Sequence, residues 1–194
     1  VKIEDALNYA AEDADITFKL YLFLKKRVNQ ERGNYIYTNI ERELINPIQS
    51  MEINGIKVDK KYLSNLSIKF SQRIEKLEKK IYNETGSEFN IGSPKQLSEI
   101  LFDKLKLKPP KKTKTGEKST GIEVLEDLAY EGNKVADNII QWRQLSKLKN
   151  TYTDALQNHI VRETGRIHTS FAMASTNTGR LASSDPNLQN IPIR

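Results

Sequence analysis

Residues 60–83 read KKYLSNLSIKFSQRIEKLEKKIYN, and this stretch decides the fold. Its apolar side chains recur at intervals of three and four residues, which predicts a single stripe along a straight helix. A second stripe with the same spacing occupies residues 135–155. Because only about fifty residues separate the stripes, we expect the two helices to pair antiparallel as an arm, each covering the other's stripe. The stripe positions are Leu63, Leu66, Phe70, Ile74, Leu77, Ile81, then Val135, Ile139, Trp142, Leu145, Leu148, Tyr152 and Ala155.

The segment between the two helices predicts a tip of short helices and a basic loop. Ser93 is the predicted N-cap of one short helix, and Pro94 is its first helical residue. The backbone N–H groups at this helix start, with Ser93 and Lys95 beside them, could bind a phosphate. Residues 120–129 predict another short helix. Residues 104–118 hold seven lysines against one acid. We interpret this stretch as a solvated, flexible loop whose charge also favours an anionic partner through counterion release.

The last twenty residues, 175–194, read STNTGRLASSDPNLQNIPIR and carry mostly hydroxyl, carboxamide and guanidinium side chains. Short donors of this kind suit the minor groove of a nucleic acid duplex, where every base pair offers similarly placed acceptors. On composition alone, the alternative is a surface loop without a chemical role. The alternating residues 166–171 predict a strand, and we expect a hairpin that returns near residues 178–180.

Net charge and cysteine content narrow the function classes. The chain has 194 residues, a net charge of +6, two histidines and no cysteine. The charge favours an anionic partner, most commonly nucleic acid. Disulfides, thiolate zinc sites and a cysteine nucleophile are excluded, and two histidines are too few for a histidine-rich metal site. No apolar stretch is long enough to span a membrane and no signal peptide is visible, so we expect a cytoplasmic protein without a membrane partner.

Two further helices are predicted before the first stripe, over residues 3–30 and 38–52, with an interruption at 33–37. Tyr9 and Asp13 lie four residues apart on the first, so they share a face. A carboxylate can bind Mg²⁺ and a tyrosine can orient its water, but spacing alone favours a surface or structural pair. Because the sequence opens within a predicted helix and closes on a motif, we expect a piece of a longer protein.

Several segments resemble family A DNA polymerases of the bacterial DNA polymerase I type. The run from Thr176 to Arg194, with Thr178-Gly179-Arg180-Leu181 at its centre, resembles the motif that opens the polymerase palm. Similar matches are YAAEDAD at residues 9–15 to the last proofreading-exonuclease motif, EINGIKVD at 52–59 to the link into the thumb, and residues 141–152 to the thumb-base helix. The resemblance implies a mainly α fold with a small C-terminal β element and an antiparallel, coiled-coil-like thumb arm with a lysine-rich tip.

The domain partition that the resemblance implies has four parts. They are the end of the exonuclease-like domain (1–33), a connecting helix and turn (34–58), the thumb (59–160), and the start of the palm with a hairpin and the Thr-Gly-Arg motif (161–194).

The resemblance implies a site for primer–template DNA. Arg180 would donate into the minor groove at the primer end, while Arg143 and Lys147 would neutralise phosphates. The full set of expected DNA contacts is Ser93, Lys95, Arg143, Lys147, Asn150, Thr176, Thr178, Arg180, Asn187, Gln189, Asn190 and Arg194.

The activity that the resemblance implies belongs to the parent protein. It would be a DNA-directed DNA polymerase that uses deoxynucleoside triphosphates and Mg²⁺. In the family, the polymerase carboxylates lie after the Thr-Gly-Arg motif and the other exonuclease carboxylates lie before Tyr9. Tyr9 and Asp13 would therefore be the water-orienting and metal-binding remnants of an incomplete exonuclease site, and we expect this chain alone to be inactive, metal-free and monomeric.

Two other functions stay open on the sequence. A non-enzymatic coiled-coil adaptor, or a general nucleic-acid-binding module, would also carry paired apolar stripes. A parent that copies RNA is the second alternative.

Overall fold

The computed structural model describes residues 2–108 and 118–192. These residues are mainly helical, with two small antiparallel sheets, one of them near the C-terminus. They form two compact units, Val1–Gly55 with Thr169–Gln189, and Ile56–His168 with Asn190–Arg194. The four-part partition expected from the resemblance remains a prediction.

The helices and strands follow one another in this order within the described residues. The α-helices are α1 (Ile3–Gln30), α2 (Asn34–Ile36), α3 (Arg42–Asn54), α4 (Lys60–Thr85), α5 (Pro94–Ser98), α6 (Ile122–Tyr130), α7 (Lys134–Leu148) and α8 (Ala155–Asn158). π-Helical segments occupy Tyr37–Glu41, Glu99–Lys104 and Lys149–Asp154. The strands are β1 (Ile56–Lys57), β2 (Ile160–Val161), β3 (Arg166–Ile167), β4 (Ser170–Ala172) and β5 (Ala182–Ser184). None of the described helices is long and apolar enough to cross a membrane.

The helix predicted over residues 38–52 begins earlier than expected. The break after α1 is confined to residues 31–33, and helical structure resumes at Asn34 through α2, the first π-helical segment and α3. Arg32 has a φ of 58°, and Gly33 N donates to Val28 O at 2.9 Å. One left-handed residue is therefore enough to end α1, so the predicted interruption at 33–37 was too long.

The two long helices α4 and α7 pack against each other and run antiparallel. Four side-chain hydrogen bonds link α4 to α7 and to the segments that follow α7. As the residue number increases along α4, the number of the bonded residue decreases, which is the pattern of antiparallel helices. These are Ser64 to Gln157 (2.8 Å), Ser67 to Asp154 (2.5 Å), Glu78 to Trp142 (2.9 Å) and Glu84 to Asn138 (3.0 Å). The predicted pairing of the two apolar stripes is confirmed.

The hydrophobic core lies at the far end of this helix pair, against the short helices. Its buried members are Ile81, Ile91, Leu97, Leu101, Phe102, Leu125, Leu128, Val135, Ala136 and Ile139. The stripe positions at the start of α4, Leu63 and Leu66, are only half-buried. Since burying a large aliphatic side chain contributes about 1.5–3 kcal/mol, most of this unit's stability resides at that end.

The predicted lysine-rich loop is described only at its edges. Lys104 donates to Ser87 Oγ at 2.9 Å, and Lys118 forms an ion pair with Asp103 at 2.5 Å. Residues 109–117 lie outside the described part of the chain. The expected second short helix is present as α6.

The strand predicted over residues 166–171 is divided between two sheets. β3 lies between β1 and β2 in one antiparallel sheet, while β4 pairs with β5 in the other. The predicted return of the hairpin near residues 178–180 was wrong, because Ala172 pairs with Ala182 and Phe171 pairs with Ser183. The Thr-Gly-Arg residues lie instead in the connection between the strands.

Candidate nucleic-acid interface

The connection between β4 and β5, residues 173–181, is here called the motif loop. Thr176 Oγ1 donates to the carbonyl of Arg180 at 2.8 Å, and Thr178 Oγ1 donates to Thr176 Oγ1 at 3.3 Å. Gly179 has a φ of 73°, a conformation that side chains with a Cβ rarely adopt. These bonds close the loop and leave the Arg180 side chain exposed, without a partner among the residues that the structure describes.

A buried polar network fixes the segment after β5. The hydroxyls of Thr169 and Ser183 lie 2.7 Å apart, and Thr169 Oγ1 also donates to the carbonyls of Ser184 (2.9 Å) and Pro186 (2.8 Å). Leu188 N donates to Ser183 Oγ at 3.1 Å. No buried side-chain nitrogen or oxygen in the described residues lacks a hydrogen-bond partner. The network therefore gives the segment one conformation, since breaking it would leave buried polar atoms unpaired.

Gln189 is part of this network, although the sequence predicted it as a DNA contact. Its Oε1 accepts from Ser183 N at 3.0 Å, and its Nε2 donates to the carbonyl of Leu181. Asn187 Oδ1 accepts from Gln189 N at 3.0 Å, and the Asn187 side chain is exposed. The Asn187 amide group therefore keeps its donors for a ligand, whereas both ends of the Gln189 carboxamide bond to the chain itself.

Asn190 belongs to the other compact unit, where its backbone carbonyl accepts from the hydroxyl of Tyr152. The residue is exposed. Arg194, the last predicted DNA contact, lies outside the described residues.

The predicted phosphate seat at the start of α5 has the expected local geometry. Ser93 Oγ accepts from Gln96 N at 3.5 Å, and Pro94 is the first helical residue. Lys95 is exposed and, with Ser98, Lys118, Trp142 and Arg143 among others, lines an open cavity of about 730 Å³. We call this cavity the tip pocket.

Arg143 is held at one wall of the tip pocket rather than extended into water. Its Nη1 donates to the carbonyl of Thr120 at 2.6 Å, and the side chain is half-buried. Burial lowers the pKa of the Arg143 guanidinium, which still stays protonated at neutral pH. Lys147, one helical turn further on, and Asn150 are both exposed. Of the predicted basic pair, Arg143 has a hydrogen-bond partner and Lys147 has none among the residues that the structure describes.

Tyr9 and Asp13 lie on α1, and both are exposed. No group of three or more His, Cys, Asp or Glu side chains among the described residues is arranged to hold a metal ion.

Sequence patterns missed two residues that shape these surfaces. The carboxylate of Glu52, at the end of α3, accepts from Phe171 N at 2.7 Å and so ties α3 to β4. Asp154 accepts from Ser67 and from Lys149. Apolar periodicity carries no information about the bonds from Phe171 N to Glu52 and from Ser67 to Asp154, because the bonding groups are polar and distant in sequence.

The fold and these surfaces define a member of a known class. The sequence profile of DNA polymerase family A matches residues 60–194, so the chain belongs to this family and the resemblance of its motifs is confirmed. DNA polymerase I of Rhizobium leguminosarum is 52% identical over 194 residues, covering 100% of this chain and 19% of that protein. DNA polymerase I of Pseudomonas aeruginosa is 46% identical over 195 residues, covering 100% and 21%. The chain spans about a fifth of the length of these relatives.

Similarity extends to a solved structure. The POL domain of Pol1 from M. smegmatis, in complex with DNA primer-template and dNTP, superimposes with a TM-score of 0.80 at 35% identity. The match covers 88% of this chain and 30% of that chain. The described fold is therefore that of a polymerase-domain segment, and the adaptor alternative loses its basis.

Proposed function

We propose that this chain holds primer–template duplex in a DNA-directed DNA polymerase of the DNA polymerase I type. The observation that carries the proposal is the exposed Arg180, whose side chain has no partner among the described residues and whose backbone carbonyl is held by Thr176. A guanidinium on such a backbone can offer its donors to the N3 and O2 acceptors of the minor groove. The M. smegmatis domain was solved with primer-template and dNTP, and its similarity to this chain supports a role in holding primer–template.

The compact unit that contains the motif loop would contact the duplex according to its shape and independently of its sequence. Minor-groove acceptors are similar for all base pairs, so donors such as Arg180 and the Asn187 amide would accept any sequence. The exposed Thr178 would contact the duplex in the same unit, and the exposed Asn190 would contact it in the other compact unit.

The unit built on α4 and α7 would act as the thumb, an antiparallel two-helix arm with short helices and lysines at its tip. Lys95 and Lys147 are exposed and would neutralise phosphates, and Ser93 lies beside Lys95 at the start of α5. Arg143 uses one of its five donors on Thr120, so the others remain for a phosphate at the tip pocket.

Catalysis would belong to the parent protein, which would extend a primer with deoxynucleoside triphosphates. Mg²⁺ would supply the charge that this phosphoryl transfer needs. The described residues do not fit a metal ion, since Asp13 has no further carboxylate partners around it. We assign this chain no catalytic step, and Tyr9 with Asp13 would be the remnant of an exonuclease site.

The proposal is tested by fluorescence anisotropy of a labelled primer–template with the full-length protein. Arg180→Ala should weaken binding about tenfold, equivalent to about 1.4 kcal/mol. Arg162→Ala, which removes another exposed arginine outside the motif loop, is the matched control and should bind like the wild type. Equal affinities for all three proteins would refute the assigned role.

A further inference from the structure

The carboxamide of Gln189 makes the two hydrogen bonds that the N–H and C=O of one residue in a third strand would make beside β5. In a strand, the N–H of one residue and the C=O of the residue two positions earlier point to the same side. Gln189 fills such a pair, because it accepts from Ser183 N at 3.0 Å and donates to Leu181 O. One side chain, that of Gln189, therefore takes the place of a neighbouring strand at this edge of β5.

This bond pair fixes the C-terminal end of the motif loop, immediately after Arg180. The Leu181 carbonyl that Gln189 binds belongs to the neighbouring residue in the chain. Within the loop, Thr176 Oγ1 donates to the carbonyl of Arg180 itself, and Gly179 N lies 3.4 Å from Thr176 O. Two side chains that the sequence assigned to DNA thus hold the successive carbonyls of Arg180 and Leu181.

We propose that Gln189 and Thr176 are positioning residues, which act on the duplex through Arg180 rather than by touching it. This inference rests on the proposed function of Arg180. An arginine has many rotamers, and a fixed backbone reduces the entropy lost when its guanidinium binds. Without the Gln189 bonds, the loop could leave the conformation that aims Arg180.

Direct contact is the competing role for Gln189, because one of its two Nε2 hydrogens is not used in these bonds. The two roles differ in their coupling to Arg180. A residue that acts through Arg180 has no effect once Arg180 is gone, whereas an independent contact weakens binding by the same factor in either background.

A double-mutant cycle in the full-length protein separates them, with labelled primer–template binding as the readout. Gln189→Met keeps the length of the side chain and removes both bonds. We expect about fivefold weaker binding from it in the wild type, and less than about twofold in the Arg180→Ala background. The same factor in both backgrounds, or no loss in the wild type, would overturn the inference. A normal affinity for Arg180→Ala alone would instead overturn the proposed function.

Thr176 provides a second pair of variants that does not disturb the strand edge. Thr176→Ser keeps the hydroxyl and should bind like the wild type, while Thr176→Val keeps the shape and should lose about as much as Gln189→Met. Hydrogen exchange supplies a readout of the geometry, since the Ser183 amide should exchange faster in Gln189→Met. Equal binding by the serine and valine variants would contradict the role of Thr176.

Discussion

Ser67 Oγ donates to Asp154 Oδ1 at 2.5 Å, and this bond joins α4 to the π-helical segment that follows α7. Lys149 donates to the other oxygen of the same carboxylate at 2.6 Å, within the segment. Asp154 is half-buried, so its charge lies against the helix pair and depends on these donors. The Asp154 carboxylate thus links α4 to the segment after α7, beside the bond from Ser64 to Gln157.

The Asp154 carboxylate should make the stability of this unit sensitive to acid. Burial raises the pKa of the Asp154 carboxyl. The hydrogen bonds from Lys149 and Ser67 and the charge of Lys149 lower it by more, so the pKa lies below its ordinary value. The stabilisation is therefore complete above the unfolded value of about 3.9 and is lost as pH falls through the folded pKa. Urea unfolding of Asp154→Asn and wild type should show a stability difference that shrinks below about pH 4.

The exposed carboxylate of Asp127 offers a control for this experiment. Asp127→Asn should change stability little at any pH. A difference between wild type and Asp154→Asn that stays constant from neutral to acid pH would contradict the role of the Asp154 charge.

Gly179→Ala should strain the motif loop. The φ of 73° is unfavourable for alanine, although nothing lies within 4 Å of the added Cβ, so the cost is conformational rather than steric. We expect about 1 kcal/mol of lost stability and weaker primer–template binding. Thermal unfolding and anisotropy measure the two effects.

Gly33 provides the matched glycine, because its φ of −77° is open to alanine. An added Cβ there would meet Val28 O at 3.5 Å, an ordinary contact. Gly33→Ala should leave stability unchanged or raise it by up to about 1 kcal/mol. If both alanine variants behaved alike, the left-handed turn would not be what shapes the loop.

Lys147 should contribute to DNA affinity through charge alone. Removing one phosphate contact reduces the slope of log affinity against log salt by about 1, and does so for any sequence. Titrations of Lys147→Ala at several salt concentrations should show this change. Lys26→Ala, an exposed lysine on α1, is the comparison, and an unchanged slope for Lys147→Ala would remove Lys147 from the interface.

The parts of the fold that follow apolar spacing could be predicted from the sequence. The stripe from Leu63 to Ile81 predicted a helix and a partner helix, and both are present as α4 and α7. The π-helical segments could not be predicted, because a bond from one residue to the fifth after it leaves no separate mark in residue preferences. The hairpin register was missed for a related reason, since Thr176 closes a turn that alternation does not reveal.

For the candidate site, the sequence could indicate which residues matter but not how they act. Arg180 and Gln189 belong to the same motif and both carry donors, so a sequence pattern treats them alike. Both residues are exposed, but the Gln189 carboxamide bonds to Leu181 and Ser183, whereas the Arg180 side chain has no partner among the described residues. Whether a carboxamide serves a ligand or its own backbone depends on the tertiary contacts around it.

Ile56 pairs with Ile167, so the chain returns at residue 167 to the place that it left at residue 56. Four residues before and four residues after this pair along the chain, the Glu52 carboxylate accepts from Phe171 N. Everything between the two strands is therefore an excursion with adjoining ends. The equivalent segment of a relative, which would supply its own β2, can therefore be joined at these two points without stretching the chain.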